Sequence, residues 1–472
     1  MTLDLSGTNT ACTYSGRIRN NQGTAAGSLL LRKSGTGTWT LTNDNDFTGG
    51  ISVDAGTLRL RHGNALGTTG SVSQTAGATI DIAGGITINK GSAPFTLDSG
   101  ASTTALNVPD SGGDNTIQCT SVTLNSQLIV NVGTNAALRF RNTQAIQRQG
   151  TEVNGFTKNG KGELDLGSFA NTYTGPVTSN AGTLTVGASC APSTNGPLGN
   201  ASSTVTVRGA FPVTFDDSGT FKYNGTGAAI ISRALQFTGA TSNSAARLTA
   251  SGTGAVTINN ATFSADISYI YLDGENTGDN TLASNVPSLL SVLFKRGFCK
   301  WVLSGSSLHS GQYLVQLGTL TLGNVVRNLG SGYITMVGGT LSNGSASVTC
   351  ASVRFQGSSL PEYRAVVRAV LAGTTQVRFE TTTSDHYGTL YPDAANGSNT
   401  YTGDTTISAG DTLTLYTDAN PRTEGHGKVT GDGNVSVTGN LAVRAATQNG
   451  CARYGGNLTF NAGSKLRIGV AA

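Results

Sequence analysis

From Lys33 to Leu60 the chain reads Lys-Ser-Gly-Thr-Gly-Thr-Trp-Thr-Leu-Thr, then Asn-Asp-Asn-Asp-Phe-Thr-Gly-Gly, then Ile-Ser-Val-Asp-Ala-Gly-Thr-Leu-Arg-Leu. The pattern returns from Lys158, through Leu164-Asp165-Leu166, Asn171-Thr172-Tyr173-Thr174-Gly175 and Ala181-Gly182-Thr183-Leu184-Thr185-Val186. Lys295 opens a third copy, through Trp301-Val302-Leu303 and Leu317-Gly318-Thr319-Leu320-Thr321-Leu322. A fourth lacks the lysine but keeps Gly388-Thr389-Leu390, Asn399-Thr400-Tyr401-Thr402-Gly403 and Ala409-Gly410-Asp411-Thr412-Leu413-Thr414-Leu415. In the first three the lysine stands six residues before a Trp or Leu (33 to 39, 158 to 164, 295 to 301), an offset chance does not readily repeat.

A Leu-Gly pair follows each of these three, Leu66-Gly67, Leu198-Gly199 and Leu329-Gly330, so the copies lie near 33–67, 158–199, 295–330 and 388–415. Between Gly56, Gly182, Gly318 and Gly410 the spacings are 126, 136 and 92 residues. No small repeat unit has that period. Long unequal spacings point to a super-repeat laid over a finer structural period, with insertions tolerated between copies. No linker, charge block or Pro-rich boundary divides the chain, and one continuous unit over 1–472 is expected.

Between the copies, alternation dominates. Ile51/Val53, Leu58/Leu60, Ile80/Ile82, Ile86/Ile88, Val205/Val207, Leu320/Leu322, Val435/Val437 and Leu441/Val443 are apolar at i and i+2, the signature of a strand with one buried face. The runs are short and punctuated by Gly, Asn, Asp and Ser, which demands many strands and tight turns. Pro361 to Leu371 reads either as a short helix, with apolar residues at i, i+3, i+4, i+7 and i+8, or as another strand. Stacked sandwiches need a tyrosine or Cys-Trp-Cys core signature that is missing. A β-solenoid of parallel coils needs short strands, glycine-rich corners and polar residues that ladder coil on coil, which this chain supplies. At roughly 20–30 residues per coil it makes about 16–24 coils, and at about 4.8 Å per coil a rod of about 75–115 Å.

Composition removes other classes. Of 472 residues 65 are Gly and 12% are charged, about half the usual share. No apolar run is long enough to span a membrane, and the evenly spread 37% of hydrophobic residues argues against disorder. A net charge of +4 without a dense Lys/Arg cluster does not suit nucleic acid. Cys12, Cys119, Cys190, Cys299, Cys350 and Cys451 stand far apart, with no zinc spacing, and are expected to act mostly as small buried hydrophobes. The opening Met-Thr-Leu-Asp-Leu-Ser-Gly does not read as a signal peptide.

Lys-x-Gly-x-Gly-x-(Trp/Leu)-x-Leu, Asn-x-(Phe/Tyr)-Thr-Gly and Ala-Gly-Thr-Leu-x-Leu together resemble the autotransporter-associated β-strand repeat. That resemblance implies a right-handed parallel β-helix and the passenger segment of a large bacterial surface protein. It covers four places, perhaps a third of the chain. Two departures matter: the third copy has Leu308-His309-Ser310-Gly311 where the family has aromatic-Thr-Gly, and the fourth has no lysine. The motif also has a purely physical reading. Trp39, Leu164 and Trp301 can fill a coil interior; Gly35, Gly37, Gly160 and Gly162 suit corners with φ > 0; Phe47 and Tyr173 can stack at a turn.

Polysaccharide-cleaving β-helices make one imitation worth weighing. Asp216-Asp217, Gly425-His426-Gly427 and Arg467-Ile468-Gly469 echo a polygalacturonase set, but 209 residues separate Asp217 from His426. That is about 35–50 Å along a solenoid, beyond the reach of paired acid and base. Asp44 and Asp46 read as turn caps about Asn45 rather than calcium ligands, and His62, His309, His386 and His426 are scattered. No catalytic, cofactor-binding or metal-ligating set is expected. The chain therefore reads as a non-enzymatic, structural or adhesive β-solenoid, extracellular or on a bacterial surface. Its partners would be a surface glycan or protein, or further copies of itself packed end to end as a fibre, since both ends still alternate like strands and show no cap. The alternative is a phage or virion fibre that recognises, and in one version cleaves, surface glycans.

Overall fold

The structure is a computed structural model, and it describes all residues except 9–10, 21–26, 92, 101, 142–144, 211–217, 307–309, 324–326, 345–346, 357–364, 380–386, 391–398, 410, 418–433, 438–439, 446–456 and 471–472. The described residues form short strands joined by turns and contain no helix. Every strand pairs in parallel with a strand one coil away, which is the β-solenoid expected from the sequence. The chain divides into two compact units: 1–247 with 251–254 and 259–267, and 248–250 with 255–258 and 268–472.

In the first unit one sheet runs from Thr2–Leu5 to Ile146–Arg148, a second from Cys12–Tyr14 to Ala261–Phe263, and a third from Thr87–Asn89 to Gly219–Tyr223. Register sets the coil length. Leu31 stacks on Ile51, Ile51 on Val72, Val72 on Phe95, Phe95 on Val122 and Val122 on Ile146, so a coil takes 20 to 27 residues. All six of these side chains are buried. Burying each contributes about 1.5–3 kcal/mol, and only an unbroken i, i+2 parity keeps such a file pointing inward. Outward positions ladder too: Asn107 Nδ2 donates to Asp81 Oδ2 (2.8 Å) and Asn131 Nδ2 to Asn107 Oδ1 (2.8 Å).

In the second unit one sheet carries strands from Val292–Lys295 to Leu458–Phe460, a second runs from Val256–Ile258 to Lys465–Val470, and a short third joins Arg327–Asn328, Ser347–Thr349 and Val370–Leu371. Its described part of the 361–371 segment is strand, over Ala365–Val367 and Val370–Leu371. Leu341 pairs with Val367 and Val348 with Leu371, and stacking of β-branched side chains on neighbouring coils outweighs the helical spacing. Pro361 and Tyr363 lie outside the described residues.

The repeated motif builds one kind of corner. Lys33, Lys158 and Lys295 share strand parity with Leu31, Phe156 and Leu293, so each points inward and is buried. Lys158 Nζ donates to Gly160 O (2.7 Å) in its own corner and to Ala181 O (2.6 Å) one coil on. Lys33 does the same with Gly35 O and Ala55 O (2.9 Å). Lys295 reaches Arg296 O (2.5 Å), Gly297 O (2.9 Å) and Leu317 O (3.0 Å). A sharp corner turns carbonyls out of the sheet ladder, and a buried carbonyl without a donor is costly. The lysine supplies donors to two successive corners at once. Ala55, Ala181 and Leu317 each precede a marker glycine in the left-handed region (φ 66°, 68° and 64°), which fixes where the accepting carbonyl points.

Of the four glycines expected to need positive φ, only Gly160 has it. Gly35 serves a different need: a Cβ there would sit 2.1 Å from Gly7 O in the neighbouring coil. After the corner, Leu164 and Trp301 are fully buried, as expected. Trp39 is only half-buried, although its indole Nε1 donates to Ser6 O (3.1 Å) just as Trp301 Nε1 donates to Asp273 O (3.1 Å). In the fourth copy the lysine's column, followed through Val315, Met336 and Phe355, holds Phe379, which stacks on Phe355 at 5.0 Å.

The Asn-x-(Phe/Tyr)-Thr-Gly segment closes the coil without a strand. Asn171 Oδ1 accepts from Ile146 N (2.8 Å) in the coil before and Nδ2 donates to Pro197 O (2.9 Å) in the coil after. Asn45 bridges Ile18 N (2.8 Å) and Ala65 O (2.7 Å) in the same way. Phe47, Tyr173 and Tyr401 beside them are fully buried and fill the strandless side. The copies do not share one side. The Lys33 corner joins the first and second sheets of its unit, and the Lys158 corner joins the second and third. The copies thus share the local corner and not the sheets that carry it.

Candidate functional site

The second copy departs from the others in one place. The closing leucine lies ten positions after the marker glycine in the first copy (56 to 66), eleven in the third (318 to 329) and sixteen in the second (182 to 198). The added residues, with Ser193 at φ 53°, form one wall of an open pocket of about 300 Å³. Ser168, Phe169, Ser189, Asn195, Pro197 and Tyr223 line it, with small residues between them.

Buried groups hold this wall in place. Tyr173 OH donates to Pro197 O (3.1 Å), beside the Asn171 contact to the same oxygen. Arg233, fully buried, donates from Nε to Ser203 O (3.0 Å), from Nη2 to Ser203 Oγ (3.2 Å) and from Nη1 to Leu198 O. Cys190 pairs as an isolated bridge with Ile231, and Ile230 N donates to Ser189 Oγ (3.0 Å). Asn200 Nδ2 donates to Asn195 Oδ1 (2.6 Å), which leaves the Asn195 amide hydrogens as donors. Tyr223 OH donates to Gly227 O on the opposite wall. The inserted loop is thus pinned at both ends and pre-shaped.

Among the described residues the lining carries no carboxylate, imidazole or ammonium group. Burial pushes the nearby Cys190 thiol up to about 12, so at neutral pH it is not a thiolate nucleophile. The pocket offers an aromatic surface and neutral hydrogen-bonding groups. Among the described residues the lining supplies no carboxylate or imidazole to act as general acid or base.

Asp216, Asp217, His309, His386 and His426 lie outside the described residues. In the 467–469 segment the backbone is strand. His62 accepts from Asn64 N (3.2 Å) through Nδ1. Asp44 accepts from Asn64 Nδ2 (2.9 Å) and Asp46 pairs with Arg17 (3.0 Å), both side-chain contacts to neighbouring coils rather than caps of their own turn. Among the described residues no three His, Cys, Asp or Glu side chains converge. Cys119, Cys190, Cys299 and Cys350 are buried, Cys12 is half-buried, and Cys451 is outside the described residues.

The model of the passenger-associated-transport-repeat matches residues 31–60, 156–186 and 389–417, which are the first, second and fourth copies. The third, with its altered Leu308-His309-Ser310-Gly311, falls outside those matches yet carries the same lysine corner. The chain is also similar to the adhesin BmaC autotransporter of Brucella suis biovar 1 (strain 1330), at 34% identity over 176 residues. That match covers 37% of this chain and 4% of the adhesin. No solved structure matches significantly.

Proposed function

We propose that this chain is a non-enzymatic adhesive segment of a surface-displayed or secreted bacterial β-solenoid. The observation that carries the reading is the passenger repeat, present three times and similar to part of an adhesin. An uncharged, pre-shaped pocket suits attachment better than turnover. The same reading takes 1–472 as one continuous solenoid, and small-angle scattering that required two independently moving bodies would contradict it. End-to-end self-association belongs to the proposal as well, supported by the low charge, 12%, which leaves little repulsion between copies. A monodisperse monomer at high concentration in light scattering would remove it.

Adhesion itself is tested with beads. Beads coated with the purified chain should be retained on epithelial cell layers well above albumin-coated beads. Equal retention of the two would overturn the adhesive reading.

A further inference from the structure

We infer that the pocket beside the 189–195 insertion binds one ring of a neutral saccharide. This deepens the adhesive reading and rests on it for biological meaning. An anionic or cationic ligand would lose water there with no opposite charge among the described lining residues, a costly transfer. What the pocket has is one partly exposed aromatic ring, Phe169, over a floor that includes the buried Tyr223, and a ring of neutral donors and acceptors: the Ser168 and Ser189 hydroxyls and the Asn195 amide. A pyranose presents the matching pair of surfaces, a C–H face for an aromatic side chain and hydroxyls that both donate and accept.

Size agrees with that class. About 300 Å³ lies at the lower end of ligand pockets, room for a single ring and too little for a folded peptide segment. Pre-organisation agrees too. Pro197 is held by Asn171 and Tyr173, Ser189 by Ile230, and Asn195 by Asn200, so little ordering remains to be lost on binding. The position also points to use. Repeat solenoids add binding surface through insertions in an otherwise constant unit, and this insertion makes a wall of the pocket. Affinity for one ring in an open site will be weak, in the millimolar range, and useful only when many copies act together.

The test is saturation-transfer difference NMR on the whole chain with glucose, galactose, N-acetylglucosamine, glucuronic acid and sialic acid. At least one neutral sugar should give a saturable signal and neither acid should. In Phe169→Ala and Asn195→Ala the apparent affinity should fall about tenfold or more. Asn195 is exposed, so its variant should keep the parent's thermal midpoint and decide the matter if the Phe169 variant misfolds. No saturable neutral sugar, binding only of the acids, or full affinity in Asn195→Ala would overturn the assignment. The bead assay separates this from adhesion. Wild-type beads that adhere while the NMR shows no neutral sugar bound leave adhesion standing and remove the pocket. A sugar bound in solution by a chain whose beads do not adhere keeps the pocket and removes adhesion.

Discussion

Replacing Lys158 by Met tests the corner more sharply than any apolar deletion, because the sign of its effect should depend on pH. Lys158 is buried, and burial pulls its ammonium from 10.5 down to about 7, with Glu163 opposing. Between those values the unfolded chain binds a proton at this residue that the folded chain does not, so stability rises with pH. Below about 7 both states are protonated and the full cost of burying the ammonium is present, about 4–5 kcal/mol from the gap. Above about 10.5 both are neutral and only hydrogen bonding remains. A neutral amine has two N–H groups, and the site presents two carbonyls, Gly160 O and Ala181 O. Methionine leaves both without a donor, at about 1–2 kcal/mol each for part-buried groups. Lys158→Met should therefore be close to neutral or stabilising at pH 6 and cost about 2–4 kcal/mol at pH 10. Thermal melts of parent and variant by circular dichroism at pH 6, 8 and 10 give the difference, in which background titrations cancel. A difference that stays constant, or shrinks as pH rises, would refute the reasoning.

Three further outcomes follow from particular contacts. Trp301→Ala should cost about 3–5 kcal/mol and the half-buried Trp39→Ala clearly less, read from denaturant midpoints; equal losses would contradict the difference in burial. Asn171→Ala strands Ile146 N–H, while Pro197 O keeps its bond from Tyr173 OH, and should cost about 1–3 kcal/mol. Faster hydrogen exchange at the Ile146 amide should mark the place, and unchanged protection there would sink the bridging role. Cys119, Cys190 and Cys350, buried and each pushed up to about 12, should resist a thiol reagent in the folded chain and react after denaturation. Rapid labelling of all of them under native conditions would be incompatible with this packing.

Much of the architecture was legible because period-two alternation and glycine punctuation are direct images of a one-sided strand and a tight corner. Ile51/Val53 and Leu58/Leu60 both paired in the parity they announced. The lysines were visible as markers and their work was not, though a signal existed: Lys33, Lys158 and Lys295 sit two residues after Leu31, Phe156 and Leu293, in the inward parity. A charged residue in that parity had to be buried and satisfied. The helical reading of 361–371 failed over its described part because short apolar runs fit both periods, and only stacking partners decide between them. The pocket escaped notice because its walls come from stretches far apart in sequence, Phe169, Asn195 and Tyr223. The sixteen-position step from Gly182 to Leu198, against ten and eleven, was its one trace in the sequence.

The step of the lysine corner from one pair of sheets to the next has a consequence for how such a chain meets a target. The first copy closes over the side where the third sheet would lie, and the second closes over the side of the first sheet. An insertion grafted after a corner therefore inherits a compass bearing from the sheets that carry that corner. Copies spaced by a whole number of coils would aim every graft the same way. Spacings that are not whole coils turn successive grafts toward different sides of the coil, as the first two corners already differ in the sheets they join.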